Sequence, residues 1–350
     1  MTTHPTPTTV INRQVQLAAT PVGTPRPHDF QLVRTDLPRT GPGQLLVRNT
    51  WMSVDPYMRE AMKGVPYLPP LRPGDALYGA AAGEVVVSRA QTVPVGATVT
   101  HFSGWCDYAV VDAAGASVVD TAAAPVPAYL GVLGATGLTA YATLTEVAPV
   151  RPGDVVFVSA AAGAVGSVAG QIARELGAAR VIGSAGGADK ARTLVAELGF
   201  DEGLDHRAAP LCEQLAKVAP DGIDYYFDNV GGDHLEAAIG ALRERGRIAM
   251  VGAVSTYNAT EPPRGPANLF VLSSKNASLH GMLVGGYTHL HPEWIGRGTA
   301  WLAAGVLRTR QTVVEGLEQA PAALIGVLRG ANTGKMLVRL AAAHPHREEA

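Results

Sequence analysis

The chain has 350 residues, of which 47% are hydrophobic and 17% are charged, and its formal net charge is −2. This balance excludes a long disordered chain and disfavours a surface that binds nucleic acid. At about 100 to 200 residues per domain, the length predicts two domains or one large one. The two cysteines, Cys106 and Cys212, are too few for a disulfide framework and lack zinc-ligand spacing, so a reducing cytoplasm is expected.

No segment of the sequence predicts a membrane association. Residues 1–10 are rich in threonine and proline and lack the basic and apolar regions of a secretory signal. Residues 121–145 and 155–173 carry no charge, but glycine and proline interrupt the first, and the second becomes rich in small residues halfway. Because a spanning helix needs about 20 continuous apolar residues, both stretches are expected inside a folded protein.

The first 120 residues contain short apolar alternations separated by glycine and proline. Such runs predict the short strands of an antiparallel, barrel-like domain. The clearest are residues 44–47, 83–87, 98–102 and 108–111. From about Pro127 the pattern changes, which places a first domain boundary near residue 130.

Strands and helices then alternate. Residues 155–159 form an apolar run typical of a strand buried on both faces, and apolar residues recur at helical spacing from there to Gly177. Further strands are predicted at 180–183, 203–205, 223–227 and 248–251, with helices at 188–198, 211–218 and 234–242 between them. Strands separated by helices need crossover connections, which predicts a parallel, doubly wound α/β sheet.

The last part of the chain is predicted to leave this sheet. A loop rich in proline and glycine is followed by a helix and then by a strand at 278–284. Helices at 298–307 and 321–328 come next, before a final strand at 335–340. We therefore expect three segments, with residues 1–130 and 298–350 in the first domain and residues 131–297 in the doubly wound domain.

A turn of small residues separates the first strand and helix of the predicted sheet. It reads Ala160-Ala-Ala-Gly-Ala-Val-Gly166, with alanine at the first glycine position of G-x-G-x-x-G. Small residues allow the backbone to approach a diphosphate, which the N–H groups of the helix then bind. Gly163, Ala164, Val165 and Gly166 are thus candidate cofactor contacts, although a tight strand-to-helix turn alone would have the same composition.

The end of the second strand indicates which dinucleotide is bound. An NAD site normally has a carboxylate here, but residues 181–187, which include Ser184, are uncharged and are followed by Lys190 and Arg192. A missing carboxylate and a following cation favour the 2′-phosphate of NADP. The alternative for Lys190 is a solvated charge on a helix.

The strand at 223–227 ends in Asp228 and Asn229, followed by Val-Gly-Gly. Polar residues at the carboxyl ends of parallel strands lie in the crevice where ligands bind, so both are candidate cofactor contacts. Turn chemistry alone is the alternative explanation.

These motifs, taken in order, resemble the zinc-independent medium-chain dehydrogenases/reductases, and among them the NADP-dependent alkenal, prostaglandin and curcumin double-bond reductases. The resemblance runs from about Asn12 to Leu340. It rests on Val54-Asp-Pro-Tyr-Met-Arg59, residues 160–170, Asp189-Lys190, residues 226–232, Ser255-Thr-Tyr-Asn258 and the tail at 320–335. It implies a GroES-like barrel beside a Rossmann domain.

The resemblance also implies roles for individual residues. Tyr257 matches a tyrosine that lies beside the nicotinamide and donates a hydrogen bond, and Tyr57 matches a tyrosine of the substrate pocket. Lys190 matches the lysine that binds the 2′-phosphate, and Asn229 and Asn332 match cofactor-binding asparagines. Alternatives remain open: Tyr257 closing a loop, Tyr57 as a core aromatic and Asn332 as a turn residue.

The sequence departs from the family at two places. His206 replaces a tyrosine that contacts the adenosine phosphate in many relatives, so an imidazole takes that contact or the contact is lost. The loop after Tyr257 also differs, which leaves substrate preference open. The other histidines considered, at positions 101, 234, 280, 289 and 291, have no metal-ligand spacing with cysteine or acid, so no metal is predicted.

The resemblance implies NADPH-dependent reduction of the carbon-carbon double bond of an α,β-unsaturated ketone or aldehyde. Hydride adds to the β-carbon while Tyr257 hydrogen-bonds the enolate oxygen. Two alternatives remain: an NADPH-dependent quinone oxidoreductase and a non-catalytic NADPH-binding protein. The family also implies a homodimer, with the strand at 278–284 as the shared sheet edge.

Overall fold

A computed structural model describes residues 11–340, so the N-terminal residues 1–10 and the end of the predicted 298–350 segment lie outside the described residues. The first part of the chain is mostly strands. They are β1 (Ile11–Leu17), β2 (Phe30–Asp36), β3 (Gln44–Ser53), β4 (Ala81–Ser88), β5 (Thr98–His101), β6 (Tyr108–Asp112) and β7 (Ser117–Val118). Three short helices accompany them: α1 (Tyr57–Ala61), α2 (Val126–Tyr129) and α3 (Ala135–Ala142).

Strands and helices alternate in the middle of the chain, as the apolar pattern predicted. The strands are β8 (Val155–Val158), β9 (Arg180–Ala185), β10 (Glu202–Asp205), β11 (Ile223–Asp228), β12 (Leu242–Met250) and β13 (Ser278–Gly281). The helices are α4 (Gly166–Glu175), α5 (Ala188–Leu198), α6 (Leu211–Val218), α7 (Gly232–Ala241) and α8 (Phe270–Ser274). The described part of the chain ends with α9 (His291–Ala303), β14 (Gln311–Glu315), α10 (Ala320–Leu328) and β15 (Lys335–Arg339).

The middle strands form a six-stranded sheet in the order β10-β9-β8-β11-β12-β13, and all of its pairs are parallel. Alternate residues of β11 enter opposite cores: Tyr225 packs with α3 and α4, and Tyr226 packs with α6 and α7. The sheet is therefore buried on both faces, and the predicted doubly wound α/β architecture is confirmed.

The N-terminal strands form a seven-stranded sheet in the order β14-β15-β3-β4-β5-β7, with β6 also paired to β3. The last two strands of the described chain thus join the first ones. Most pairs are antiparallel, as expected for a GroES-like domain, but β14 and β15 pair in parallel. The α10 segment between β14 and β15 supplies the crossover that a parallel pair needs.

Several predicted elements differ from the structure in length. The strand predicted at 278–284 ends at Gly281, and a 3₁₀ segment at Val284–Leu290 follows it. The helix predicted at 298–307 is α9, which ends at Ala303. The strand predicted at 248–251 is β12, which begins six residues earlier through Arg243 and Arg245. Charged side chains there break the apolar run, so periodicity does not detect the start of the strand.

Within residues 11–340, no helix is both long enough and apolar enough to cross a bilayer.

Candidate active site

The small-residue turn begins at the carboxyl end of β8 and leads into α4. A Cβ on Gly166 would lie 2.5 Å from the Ala160 carbonyl oxygen and 2.8 Å from Ala161 Cα, so a larger residue would force the turn open. Ala160 itself has a φ of 46°, in the left-handed region. The chain is therefore bent sharply at this point, which is the geometry that lets a diphosphate approach backbone N–H groups at the start of a helix.

The C-terminal loop contacts this turn directly. Gly163 and Gly334 form a parallel bridge, and the Gly334 N–H donates to the Ala162 carbonyl at 2.7 Å. The side-chain amide of Asn332 donates to the Gly334 carbonyl at 2.7 Å. Asn332, 169 residues after Gly163 in the sequence, is thus brought beside the glycine turn.

Lys190 joins the same group from the first turn of α5. Its ammonium donates to the carbonyls of Gly330 and Asn332, each at 2.6 Å. Burial and the nearby guanidinium of Arg207 lower the pKa of Lys190. A half-buried lysine next to a second cation is unfavourable unless an anion binds between or beside them.

Sequence analysis missed Arg207. It follows β10 and lies against the end of β9, since a Cβ on Gly186 would be 3.0 Å from Arg207 Nε. The Asp205 carboxylate holds this turn by accepting the N–H groups of Gly187 at 2.8 Å and Arg207 at 3.0 Å. The only indication of Arg207 in the sequence is its position directly after His206, which replaces a phosphate-contacting tyrosine of many relatives.

His206 lies at the same sheet end. Its ring is 5.0 Å from the ring of His234 in an edge-on arrangement, and its Cε1 would be 3.1 Å from a Cβ on Gly186. Burial first, then Arg207, lowers the pKa of His206, and burial lowers the pKa of His234 to about 4. Both imidazoles are therefore neutral at pH 7, and His206 can present a ring face or a single N–H to a nucleotide.

Asn229 is fixed to the strand that precedes the glycine turn. Its backbone N–H donates to Ser159 Oγ at 2.9 Å, and its side-chain amide donates to the Ser159 carbonyl at 2.7 Å. Asp228 is fully buried and accepts hydrogen bonds from the Tyr226 hydroxyl at 2.7 Å and from the Val230 N–H at 2.9 Å. Of these two candidates, only Asn229 lies partly exposed toward the crevice; Asp228 stabilises the turn that carries it.

Ser184 is fully buried near the end of β9. Its carbonyl accepts the Ala161 N–H at 2.8 Å, and its hydroxyl has no hydrogen-bond partner among residues 11–340. It therefore connects β9 to the glycine turn through its backbone, and any cofactor contact by its side chain stays a prediction.

Tyr257 ends a 3₁₀ turn, Val254–Thr256, that follows β12. A Cβ on Gly252 would lie 3.6 Å from its hydroxyl and 3.1 Å from the Asn229 carbonyl, so Tyr257 and Asn229 flank the same glycine. Burial is the main cause that raises the pKa of Tyr257 to about 12. The hydroxyl consequently keeps its proton at neutral pH and is available as a donor.

The other tyrosine candidate comes from the N-terminal part of the chain. Tyr57 begins α1, its ring stacks on Phe102 with centroids 6.1 Å apart, and burial raises its pKa well above the usual value. Its buried hydroxyl has no partner in the described part of the chain. Lys63, just after α1, donates to the Thr256 carbonyl at 3.4 Å, which connects this region to the Tyr257 turn.

A buried ion pair that was not predicted from the sequence joins the Val54–Arg59 motif to the tail motif at 320–335. Lys335 at the start of β15 binds Asp55, which also accepts a hydrogen bond from Ser53. Lys335 is 4% exposed and Asp55 is 9% exposed. This pair holds the segment that leads into Tyr57 against the segment that follows Asn332.

Together these residues fit a dinucleotide with a 2′-phosphate. The turn at Gly166 has no room for a side chain and lets a diphosphate approach the backbone. Lys190 and Arg207 supply two cations at the end of β9, where an NAD site would place a carboxylate. Asn229 and Tyr257 lie farther along the same sheet end, at the carboxyl ends of β11 and β12.

Two family profiles match the chain. Residues 13–119 match the N-terminal domain of oxidoreductase, and residues 164–300 match the zinc-binding dehydrogenase profile. Within the described residues, no group of three or more His, Cys, Asp or Glu side chains is arranged to hold a metal ion.

Several known proteins are similar along nearly the whole chain. The chain is 40% identical to the NADPH-dependent curcumin reductase of Escherichia coli, covering 94% of this chain and 97% of the relative. It is 36% identical to the NADP(+)-dependent 2-alkenal reductase of Nicotiana tabacum, covering 94% and 97%. It is 37% identical to prostaglandin reductase 1 of Mus musculus, covering 91% and 95%.

Solved structures agree with these relatives. CurA from Vibrio vulnificus in complex with NADPH superimposes with a TM-score of 0.89 at 40% identity, covering 94% of this chain and 99% of that one. An Escherichia coli quinone oxidoreductase, at 23% identity and a TM-score of 0.76, shares the fold. The chain therefore belongs to the NADP(H)-dependent double-bond reductases of the medium-chain dehydrogenase/reductase superfamily and is an oxidoreductase.

Proposed function

We propose that this protein reduces the carbon-carbon double bond of α,β-unsaturated ketones and aldehydes with NADPH. The observation that carries this assignment is the position of the Tyr257 hydroxyl beside Gly252 and Asn229 at the carboxyl end of the sheet, where burial raises the pKa of Tyr257. The names of the three relatives, a curcumin, a 2-alkenal and a prostaglandin reductase, support the same substrate class.

The glycine turn, Lys190 and Arg207 would hold NADPH, which supplies the hydride when bound. Lys190 and Arg207 bind the 2′-phosphate, with His206 against the adenosine half. Ala164, Val165 and Gly166 present backbone N–H groups to the diphosphate, and Gly163, whose own N–H binds the Ala160 carbonyl at 2.9 Å, lets the diphosphate approach the turn. Asn229 binds the nicotinamide half, because it borders Tyr257, and Asn332 binds the cofactor beside the glycine turn.

Tyr257 acts on the substrate carbonyl. Negative charge develops on the carbonyl oxygen as a new C–H bond forms at the β-carbon, and a hydroxyl that donates to this oxygen stabilises the charge. A raised pKa keeps the proton on Tyr257, so it serves as a hydrogen-bond donor rather than as an acid that loses its proton. Tyr57 closes the other side of the pocket with its buried hydroxyl and its stacking on Phe102.

Substitution of Tyr257 by Phe tests this role. Loss of one donor to a developing oxyanion lowers kcat by about 10²-fold to 10³-fold. We expect that loss with an alkenal and an aryl enone, and a loss of less than about threefold with a quinone that needs no such donor. Tyr129→Phe is the matched control, since the Tyr129 hydroxyl binds the Asp120 carbonyl at 2.7 Å. Equal losses for enones and quinones would remove the assignment.

The structure also supports a proposed homodimer. Strand β13 is an edge of the six-stranded sheet and, among residues 11–340, pairs only with β12. Leu279 and Leu283 in and after this strand are 38% and 56% exposed. Pairing of two β13 strands about a two-fold axis would satisfy the edge and cover these side chains.

Light scattering tests the dimer. Leu283→Glu is expected to give monomers, whereas Val118→Glu, at a position 57% exposed on a strand of the other sheet, is expected to leave the mass unchanged. A monomeric wild-type protein at micromolar concentration would contradict the proposal.

We also propose domain boundaries and a cellular location. We assign residues 1–130 and 298–350 to the substrate domain and residues 131–297 to the cofactor domain, supported by the return of β14 and β15 to the first sheet. A reducing, cytoplasmic setting is supported by Cys106 and Cys212, which are both free thiols.

A further inference from the structure

A cavity of about 680 Å³ opens at the end of the six-stranded sheet opposite the cofactor residues. Its polar lining comes from the loop before β8, from the first half of β12 and from the start of β13. These residues are Arg151, Arg245, Arg247, Asn276, Ser278 and His280. Every one of them carries a hydrogen-bond donor, and none of the described residues that line the cavity is a carboxylate.

One wall of the cavity is a buried arginine. Arg247 is 6% exposed, its guanidinium lies 5.6 Å from the centre of the Tyr225 ring, and one terminal nitrogen binds Asp154. Its Nε–H has no acceptor among the residues that the structure describes. Because a buried guanidinium that lacks one acceptor is unfavourable, an anion in the cavity would be stabilised by its positive charge.

The rim of the cavity is formed by strained backbone. Arg245 has a φ of 60° and Asn276 a φ of 49°, both in the left-handed region that favours glycine. The Arg245 N–H is held by the Lys275 carbonyl at 2.6 Å, next to a register shift between β11 and β12. The other non-glycine residues with a positive φ among residues 11–340 are Ala160, in the glycine turn, and Trp105, between β5 and β6. Strain of this kind is typical of functional sites.

We propose that this cavity binds a phosphate-bearing small molecule at a site separate from the cofactor site. Of the three arginines that line the cavity, Arg151, Arg245 and Arg247, only Arg247 has a carboxylate partner among the described residues, that of Asp154. The Asp154 carboxylate also accepts the Arg151 backbone N–H at 2.7 Å, through the same oxygen that binds Arg247. The uncompensated charge matches a phosphate dianion, and arginine forks bind phosphate in two-point contacts. Asn276 and Ser278 offer neutral donors to the same ligand.

Calorimetric titration with inorganic phosphate tests the site. The protein is first saturated with NADP⁺, so that Lys190 and Arg207 are occupied and cannot bind the added phosphate. We expect one phosphate per chain for the wild type, and at least tenfold weaker binding for the Arg151→Gln/Arg245→Gln double variant. Arg243→Gln is the matched control, because Arg243 lies on the same strand but pairs with Asp224 outside the cavity.

Three results would overturn the proposal. The first is no saturable phosphate binding by the wild type, and the second is equal affinity in the double variant. The third is loss of a dimer in the double variant without phosphate binding by the wild type, since acidic groups of a second copy would then fill the cavity beside β13. None of these results bears on enone reduction, which depends on residues at the other end of the sheet.

Discussion

Replacement of Lys190 by Met is expected to weaken binding of NADP⁺ much more than binding of NAD⁺. The Lys190 ammonium uses two donors on the Gly330 and Asn332 carbonyls, each at 2.6 Å, which leaves its charge and remaining donor for the 2′-phosphate. A hydrogen bond to a charged group contributes about 1.5 to 3 kcal/mol. Because Lys190 is only half-buried, solvent screening reduces this to about 1 to 2 kcal/mol.

That free energy corresponds to about a 5-fold to 30-fold higher Kd for NADP⁺. The Kd for NAD⁺, which has no 2′-phosphate, should change less than about threefold. Fluorescence titration with both cofactors measures the two constants. The matched control is Arg192→Gln, since Arg192 lies on the same helix, is 71% exposed and pairs with Asp189. Equal weakening of NADP⁺ and NAD⁺ binding would refute the reasoning, because the lysine would then act through the C-terminal loop alone.

Three further predictions follow from the same geometry. Gly166→Ala should weaken the binding of both NADP⁺ and NAD⁺ by at least tenfold in the same titration, because the new Cβ would lie 2.5 Å from the Ala160 carbonyl oxygen. Unchanged binding would show that the turn can open. In the pH profile of kcat with an enone, kcat should not fall with a midpoint near pH 10. Burial raises the pKa of Tyr257 to about 12, so the hydroxyl keeps its proton at pH 10. A fall in kcat with a midpoint near pH 10 would contradict this. Lys335→Met should lower the free energy of unfolding, measured by urea denaturation, by about 3 to 5 kcal/mol, because Asp55 is left buried without its partner. Adding Asp55→Asn to this variant should restore part of the lost stability.

The sequence predicted the doubly wound sheet because its strands are buried on both faces. Continuous apolar runs such as residues 155–159 and 223–227 stand out from the helical spacing between them. The start of β12 was not predicted because residues 243–245 are charged and are half-buried or exposed, so they show no apolar run. Strand β14 escaped for the same reason, since its residues alternate between exposed and half-buried positions.

The candidate site was predictable only where one local segment carries the chemistry. The turn at Gly163 and Gly166 and the absence of a carboxylate after β9 are both local patterns. The contact of Lys190 with Asn332 joins residues 142 positions apart, and spacing along the chain contains no trace of it. The Lys335–Asp55 pair, which joins residues 280 positions apart, is of the same kind. Such contacts exist only once β15 has returned to the first sheet.

The most direct test of the proposed activity is product analysis after reduction of an aryl enone with NADPH that carries deuterium at the transferred position. The proposed reaction predicts the saturated ketone, with deuterium at the β-carbon and a solvent proton at the α-carbon. An allylic alcohol with deuterium at the former carbonyl carbon would contradict the proposed reaction. So would NADPH consumption with a quinone but not with the enone.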